Sequence, residues 1–396
     1  MRGAGAFARA IAGAPAWCRL DLGEQGRGLF GVASEVIVAE RGREREFLAR
    51  LRGGLGDSAG WAVALSYEFG VGLMGLEPAA DGAAPGFALR IDEAFDTSLA
   101  PRPVGPGGSR RVGRTGPGER LAHWRRSPAQ YRAEVEECRA AIRDGEAYVL
   151  CLTDTAELGA DGIDPLALYD ALGAGALRGG AIVAGDRALV SASPERFLSV
   201  RGDRIETHPI KGTRPRGRGT EADAALAREL GADPKERAEN LMIVDLMRND
   251  LSRVCVPGTV ETRGFLRVET HPHVHQLVST VAGRLAPALD VYDAIEACFP
   301  GGSMTGAPKH RAVRILAGLE AGPRGLYSGC FGWIDRSGDA ELAMTIRSVE
   351  LRGLGGEAPV ARVGAGGGVT ADSEAAREQE ERDLKAAPVL AALARA

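Results

Sequence analysis

Of the 49 basic side chains in this 396-residue sequence, only Lys211, Lys235, Lys309 and Lys385 are lysine. Arginine does not deprotonate in a protein, so chemistry that needs a free amine must use lysine. Each of the four therefore invites a reason, with chance survival as the plain alternative. Lys211 stands at the open end of a hairpin pattern that begins at Glu195 and turns at Gly202-Asp203. A two-residue turn there sets Arg201 opposite Arg204 and Glu195 opposite Ile210, which brings Glu195 and Lys211 together. Strict alternation sends their side chains to opposite faces. Pro209, which cannot join a ladder, marks a candidate bulge that re-aims Lys211.

Acidic residues give a second constellation. Glu374, Glu378, Glu381 and Lys385 fall on one face of a helix capped by Ser373, and Glu236 and Glu239 repeat the three-residue spacing on an earlier helix. Two helices that each offer such a carboxylate pair can share one hard cation, and Mg²⁺ prefers oxygen ligands while keeping waters. Solvated surface glutamates are the alternative. The run Gly364-Ala365-Gly366-Gly367-Gly368-Val369, just before the last helix, offers backbone N–H groups beside a positive helix terminus and suits an anion. It is not the dinucleotide fingerprint, because Val369 stands at the third glycine. In Pro300-Gly-Gly-Ser-Met-Thr-Gly-Ala-Pro-Lys309, Ala307-Pro308 separates Gly306 from Lys309, which argues against a nucleotide loop. Arg347 lies in a strand pattern, either facing outward or clamping a carboxylate. His271, His273 and His275 alternate as on one strand face, yet no cysteine or further histidine supports zinc, and a single functional histidine is the preferred reading.

The elements that must carry these groups are legible in part. The pattern predicts a helix over residues 128–143, a strand over 147–153, a helix over 166–172 and strands near 181–191. Asp233 as N-cap, Pro234 in the first turn and Glu236 three residues after the cap start a helix that runs to about Leu251. Within it Asp245, Arg248 and Asp250 either pair in a buried network or form a solvated face. Residues 61–69 read as a buried strand, and residues 79–86 and 100–118 as Gly/Pro-rich loops. The expected class is α+β, without a solenoid repeat.

Length points to one large domain or two joined halves: residues 1–118 form a strand-rich region and linker, and residues 119–396 carry the chemistry. A composition of 44% apolar and 26% charged residues with net charge −4 is that of a globular protein and argues against nucleic acid. Arg9 interrupts the only signal-like stretch, and nothing later is apolar enough to span a bilayer, so a cytoplasmic protein without a membrane partner is expected. Cysteines at 18, 138, 151, 255, 298 and 330 show no paired spacing and read as reduced thiols.

Taken together, Glu195-Arg-Phe, Pro209-Ile-Lys-Gly-Thr-Arg-Pro-Arg216, Glu236 through Leu251, Pro300 through Lys309, Thr345-Ile-Arg347 and Gly364 through Glu381 resemble the chorismate-binding enzymes. That family includes component I of anthranilate synthase, component I of aminodeoxychorismate synthase, and the isochorismate and salicylate synthases. The resemblance implies two large β-sheets packed as a sandwich with surrounding helices around a Mg²⁺–chorismate site. It implies Glu236, Glu239, Glu378 and Glu381 as metal ligands, and Lys211 and Glu195 as catalytic nucleophile and general acid/base. Thr213, His275, Thr305, Gly306, Tyr327, Arg347, Gly364, Ala365, Gly366 and Lys385 are implied as substrate contacts.

Lysine at the third place of Pro-Ile-Lys-Gly-Thr resembles the aminodeoxychorismate synthases, whereas anthranilate synthases normally carry alanine there. An amine nucleophile needs a pKa below its usual value of about 10.4, which burial can provide. Val149 and Cys151 depart from the family's usual glutamine and asparagine. Valine cannot activate water as the lysine of isochorismate and salicylate synthases does at that place. The Leu-Leu-Glu-x-Ser signature of tryptophan regulation is absent from the sequence. The expected activity is amination of chorismate at C4 by ammonia from a glutamine amidotransferase partner, toward 4-aminobenzoate for folate or an antibiotic. Anthranilate synthase component I or a related antibiotic-pathway chorismate aminase, and a catalytically silent chorismate-binding partner, are the alternatives.

Overall fold

The computed structural model describes residues 11, 13–22, 28–96, 121–173, 178–271 and 274–396. The linker expected at residues 100–118, most of the signal-like stretch and His273 lie outside them. The chain opens with β1 (Ala16–Leu22), β2 (Gly28–Val38), α1 (Glu44–Gly53), β3 (Gly60–Leu65), α2 (Tyr67–Leu73), β4 (Gly86–Ile91) and β5 (Phe95–Asp96). The strand expected over residues 61–69 is thus cut short. The Ser66 side chain accepts the Phe69 N–H and caps α2, so the chain turns helical where apolar content alone predicted extension.

After β6 (His123–Trp124), α3 (Pro128–Arg143) starts from a reciprocal capping box between Ser127 and Gln130 with proline in its first turn. Next come β7 (Val149–Gly159), α4 (Pro165–Gly173), β8 (Arg178–Ala184), β9 (Arg187–Ser193), β10 (Arg196–Arg201), β11 (Arg204–His208) and β12 (Ile210–Pro215). Helix α5 (Thr220–Ala232) leads into α6 (Pro234–Ser252), where the Asp233 carboxylate accepts the Lys235 and Glu236 N–H groups as the sequence suggested. The hairpin of β13 (Glu261–Thr270) and β14 (Val274–Arg284) follows, then α7 (Val291–Cys298), a 3-10 turn (Gly302–Met304), β15 (Gly306–Ala307) and α8 (Lys309–Leu319). Strands β16 (Cys330–Asp335), β17 (Ala340–Met344), β18 (Ser348–Arg352) and β19 (Val360–Val369) precede α9 (Ala375–Leu393). The last helix is not capped by Ser373. Its hydroxyl accepts the Thr370 N–H and donates to Glu378 at 2.7 Å.

Among the described residues all strand pairings are antiparallel. One sheet runs β6–β7–β19–β18–β9–β8–β1–β2–β5, with β15 on the other end of β7. The second runs β2–β4–β3–β16–β17–β10–β11–β14–β13, and β12 continues β11 along β14. Strand β2 serves both sheets, pairing with β1 up to Val32 and with β4 from Ala33 onward. Strands from before residue 97 are therefore built into each sheet.

Alternation along the strands supplies the layer between the sheets, where Cys18, Leu20, Leu89, Ile91, Ile182, Leu189 and Phe331 pack together. Each such large side chain contributes roughly 1.5–3 kcal/mol when fully buried. Leu168, Val389 and Leu393 of α4 and α9 cover the outer face of the first sheet. Phe47, Leu51, Ile243, Met247 and Ile295 of α1, α6 and α7 cover that of the second. All six cysteines are buried and free. Among the described residues no helix is long and apolar enough to cross a membrane.

Candidate active site

The Gly202-Asp203 turn forms as expected, with Arg201 opposite Arg204, but a bulge between Arg196 and Ser199 shifts the remaining register. Arg196 therefore faces His208, and Glu195 does not face Ile210. The bulge that matters for Lys211 lies elsewhere. Strand β11 and Ile210 keep one register on β14, with Thr207 opposite Val281 and Ile210 opposite Val278, whereas Thr213 is opposite Gln276. The slip falls on Lys211 and Gly212. Gly212 has φ +83°, and a Cβ there would sit 2.8 Å from Leu230 and 3.0 Å from Glu236. Only glycine fits, and the bulge turns Lys211 into a cavity of about 380 Å³. That volume lies in the roughly 300–1,000 Å³ range of small-molecule sites. A wider groove of about 630 Å³ over β10, β11 and β13 holds none of the expected site residues.

Lys211, Glu195, Thr213, Glu236, Glu239, Tyr327, Arg347, Gly364, Ala365, Gly366, Glu381 and Lys385 all line the smaller cavity. Glu195 is buried, and burial lifts its carboxyl above the usual range even though Ser303 and Lys211 pull it down. Ser303 donates to Glu195 Oε1 at 2.6 Å. For Lys211 burial acts downward, but Glu239, Cys151, Glu195 and Glu381 act upward, and the net direction is up. The expectation that burial alone frees the amine is corrected. A neutral Lys211 requires the field of those acids to be offset.

Arg347 is not in a strand. It occupies the crossing between β17 in one sheet and β18 in the other, at φ +53°, a conformation that costs a non-glycine residue on the order of 1–3 kcal/mol. The crossing points its guanidinium into the cavity, where it donates to the Lys385 carbonyl at 2.6 Å. Burial lowers its pKa from the usual arginine value. The glycine run is likewise a strand rather than a free loop, because β19 pairs with β7 from Val360 to Val369. β18 pairs only with Val360, Ala361 and Arg362, so the far edge of Gly364–Gly368 borders the cavity. A Cβ on Gly364 would stand 2.0 Å from the Tyr327 ring, so glycine is what allows tyrosine to seat there.

Of the expected metal ligands, Glu236 and Glu239 of α6 and Glu381 of α9 line the cavity, whereas Glu378 is buried beside it with Oε1 held by Ser373. A Cβ on Gly367 would meet Glu378 at 3.1 Å and Glu381 at 3.3 Å. Burial raises Glu236, Glu239 and Glu378, and neighbouring acids raise them further. Glu381 is lowered: burial acts upward, but Lys385 Nζ, 2.6 Å away, outweighs it. Among the described residues, no three acidic, imidazole or thiol side chains stand close enough together to enclose an ion. The donor chemistry nonetheless fits a hard divalent cation that keeps part of its water shell, since these are carboxylate oxygens that repel one another without one.

Some expected contacts are not made. Strand alternation turns Gln276 into the cavity and His275 away from it. His275 is 1% exposed, with Nε2 2.9 Å from Asp223 and Nδ1 2.9 Å from Thr270. His271 sits in the turn before β14, so the alternating histidines do not share a strand. Thr305 is fully buried with its hydroxyl on the Gly301 and Gly302 carbonyls, and Gly306 packs on the Val149 carbonyl, so neither lines the cavity. Asp250 pairs with Lys309 at 2.6 Å, whereas Asp245 and Arg248 meet on the surface. Ser303, Gln276 and Lys235 also line the cavity. Of these, only Lys235 was singled out in the sequence, as one of its four lysines.

Residues 109–391 match the family described as chorismate binding enzyme. The chain is 47% identical over 277 residues to the aminodeoxychorismate synthase of Streptomyces pristinaespiralis, covering 69% of this chain and 38% of that protein. It is 47% identical over 267 residues to an anthranilate synthase component 1 of Halobacterium salinarum, covering 67% and 50% respectively. The chain thus spans half or less of the length of these curated relatives. Its fold is similar to the crystal structure of anthranilate synthase component I from Streptococcus pneumoniae, with a TM-score of 0.71 at 26% identity, over 94% of this chain and 90% of that one.

Proposed function

The chain belongs to the chorismate-binding enzymes, and on that premise we propose that it aminates chorismate at C4 to give 4-amino-4-deoxychorismate. The observation that carries this reading is the Lys211 amine in the cavity. The Lys211–Gly212 bulge aims it there, and a Cβ on Gly368 would lie 3.6 Å from Nζ and 3.4 Å from a Val149 methyl. A primary amine against an apolar wall, with the buried Glu195 carboxyl in the same cavity, suits covalent attack.

Arg347, Tyr327 and the open edge of Gly364–Gly366 would take one carboxylate of the substrate. Mg²⁺ held by Glu236, Glu239, Glu378 and Glu381 would bind the ring carboxylate and supply Lewis acidity toward the departing hydroxyl. Lys211 Nζ bonds to C2, the ring double bond shifts and the C4–O bond breaks. Glu195, whose carboxyl pKa burial raises, protonates the hydroxyl, which leaves as water. Ammonia then bonds to C4, the double bond shifts back, the C2–N bond to Lys211 breaks and the surplus proton returns to Glu195. A glutamine amidotransferase partner would deliver the ammonia.

The test is the product formed from chorismate, Mg²⁺ and ammonium. Amination at C4 is expected, with turnover lost on chelation. Amination at C2 would overturn the reading in favour of anthranilate synthase component I, an activity that the Halobacterium salinarum relative makes the second candidate. Mg²⁺-dependent binding of chorismate without turnover, even with an amidotransferase present, would mark a silent binding partner.

A further inference from the structure

Behind the cavity wall lies a buried cluster that the chemistry above does not use. Arg324, in the segment between α8 and β16, is 3% exposed. Its guanidinium donates to the Met304 carbonyl at 2.7 Å and the Cys151 carbonyl at 2.9 Å, and to both oxygens of Glu320 at 2.7 and 2.9 Å. Met304 and Cys151 line the cavity from two separate segments, the glycine-rich turn and β7. Glu320 Oε1 also accepts the Thr153 N–H and hydroxyl, at 3.1 and 2.9 Å, so β7 is held a second time.

Helix α2 closes the cluster from behind. The Tyr67 ring centre lies 4.0 Å from the guanidinium carbon, and Glu68 accepts the Arg324 and Gly325 N–H groups at 2.7 and 3.1 Å. The backbone of α2 also presses on the glycine-rich turn, since a Cβ on Gly70 would meet Pro300 at 2.7 Å. Helix α2 itself precedes residue 109, where the family match begins.

A planar fork with fixed donors is suited to hold two backbones in mutual register, and its charge strengthens the bonds it gives to buried carbonyls. The residue next to Met304 is Ser303, which holds Glu195. We propose that Arg324 is a positioning residue of the active site, setting β7 and the glycine-rich turn so that Ser303 presents Glu195 correctly, and that Tyr67 and Glu68 of α2 hold Arg324 in place. The effect on rate rests on the reading of the cavity as the place of chorismate conversion. The mechanical part does not.

Arg324→Lys keeps the charge and loses the fork. Two readouts test it: amide exchange at Cys151, whose N–H donates to the Thr305 carbonyl at 2.8 Å, and steady-state kinetics with chorismate. Exchange is expected to rise about tenfold or more. kcat should fall about 10- to 100-fold while KM stays within roughly threefold. Guanidinium ion should restore part of the rate to Arg324→Ala and none to the parent. Glu68→Gln, which leaves the fork intact, should move exchange and kcat the same way by less, and it decides the matter if the Arg324 variants do not fold. A folded Arg324→Lys or Glu68→Gln with parental exchange and parental kcat overturns the proposal. If the parent itself does not convert chorismate, the functional reading falls and the exchange arm alone decides the brace.

Discussion

Two sets of buried acids face each other across the wall of one cavity, and they settle their charge in opposite ways. Around Arg324, Glu320 has a guanidinium and Glu68 has two backbone N–H donors. On α6 and α9, burial and neighbouring carboxylates push Glu236, Glu239 and Glu378 up, and the nearest cations do not cancel that push. The first arrangement gives each carboxylate a donor within the protein, although burial still raises Glu68. The second leaves charge for a ligand to settle, as functional sites do at some cost in stability.

The sharpest way to separate the two sets is to remove the cavity's amine. Lys211→Ala should lower C4 amination on the order of 10⁴-fold with thermal unfolding little changed; amination at the parental rate would end the covalent mechanism. On the other side of the wall, Glu320→Ala leaves Arg324 buried without its partner and should cost about 3–5 kcal/mol of stability in denaturant titration. A loss comparable to that of a surface mutation would break the contrast.

Acidity offers a third separation. Burial raises Glu68 to about 7 in the folded protein, from 4.5. Its contribution to stability is therefore fully present below about pH 4.5 and is lost as pH rises through about 7, by about 3 kcal/mol in total. Glu68→Gln should flatten that part of the stability–pH curve. Asp154, raised to about 6 mainly by burial, slopes the same way, so the difference between variant and parent is what must be read. The smallest effect has the opposite sign. Without divalent cation, Glu239→Gln should stabilise the protein by about 0.5–1 kcal/mol while weakening Mg²⁺-dependent turnover. A destabilised Glu239→Gln would mean that the cavity acids are as settled as those around Arg324.

Local signals in the sequence located much of this machinery. The cap at Asp233, the helix begun by Ser127 and Pro128 and the Gly202-Asp203 turn all form where a few neighbouring residues specify them. The Glu-x-x-Glu spacing placed acids on two helices that reach one cavity. Ser303 was not legible as the partner of Glu195, since 108 residues separate them. Nor was Arg324, whose partners lie up to 256 residues away.

The sequence by itself determined which residue types are available: one lysine among arginines in a hairpin, acids at helical spacing, glycines where backbones crowd. Such features depend on bonding within a few positions and survive translation into almost any fold. The tertiary structure alone decided direction. The slip of β12 on β14 aims Lys211, strand parity exchanges His275 for Gln276, β7 turns the glycine run into a strand, and the crossing between sheets swings Arg347 inward. Each of these follows from pairing with a distant strand, and a one-residue slip reverses every side chain beyond it.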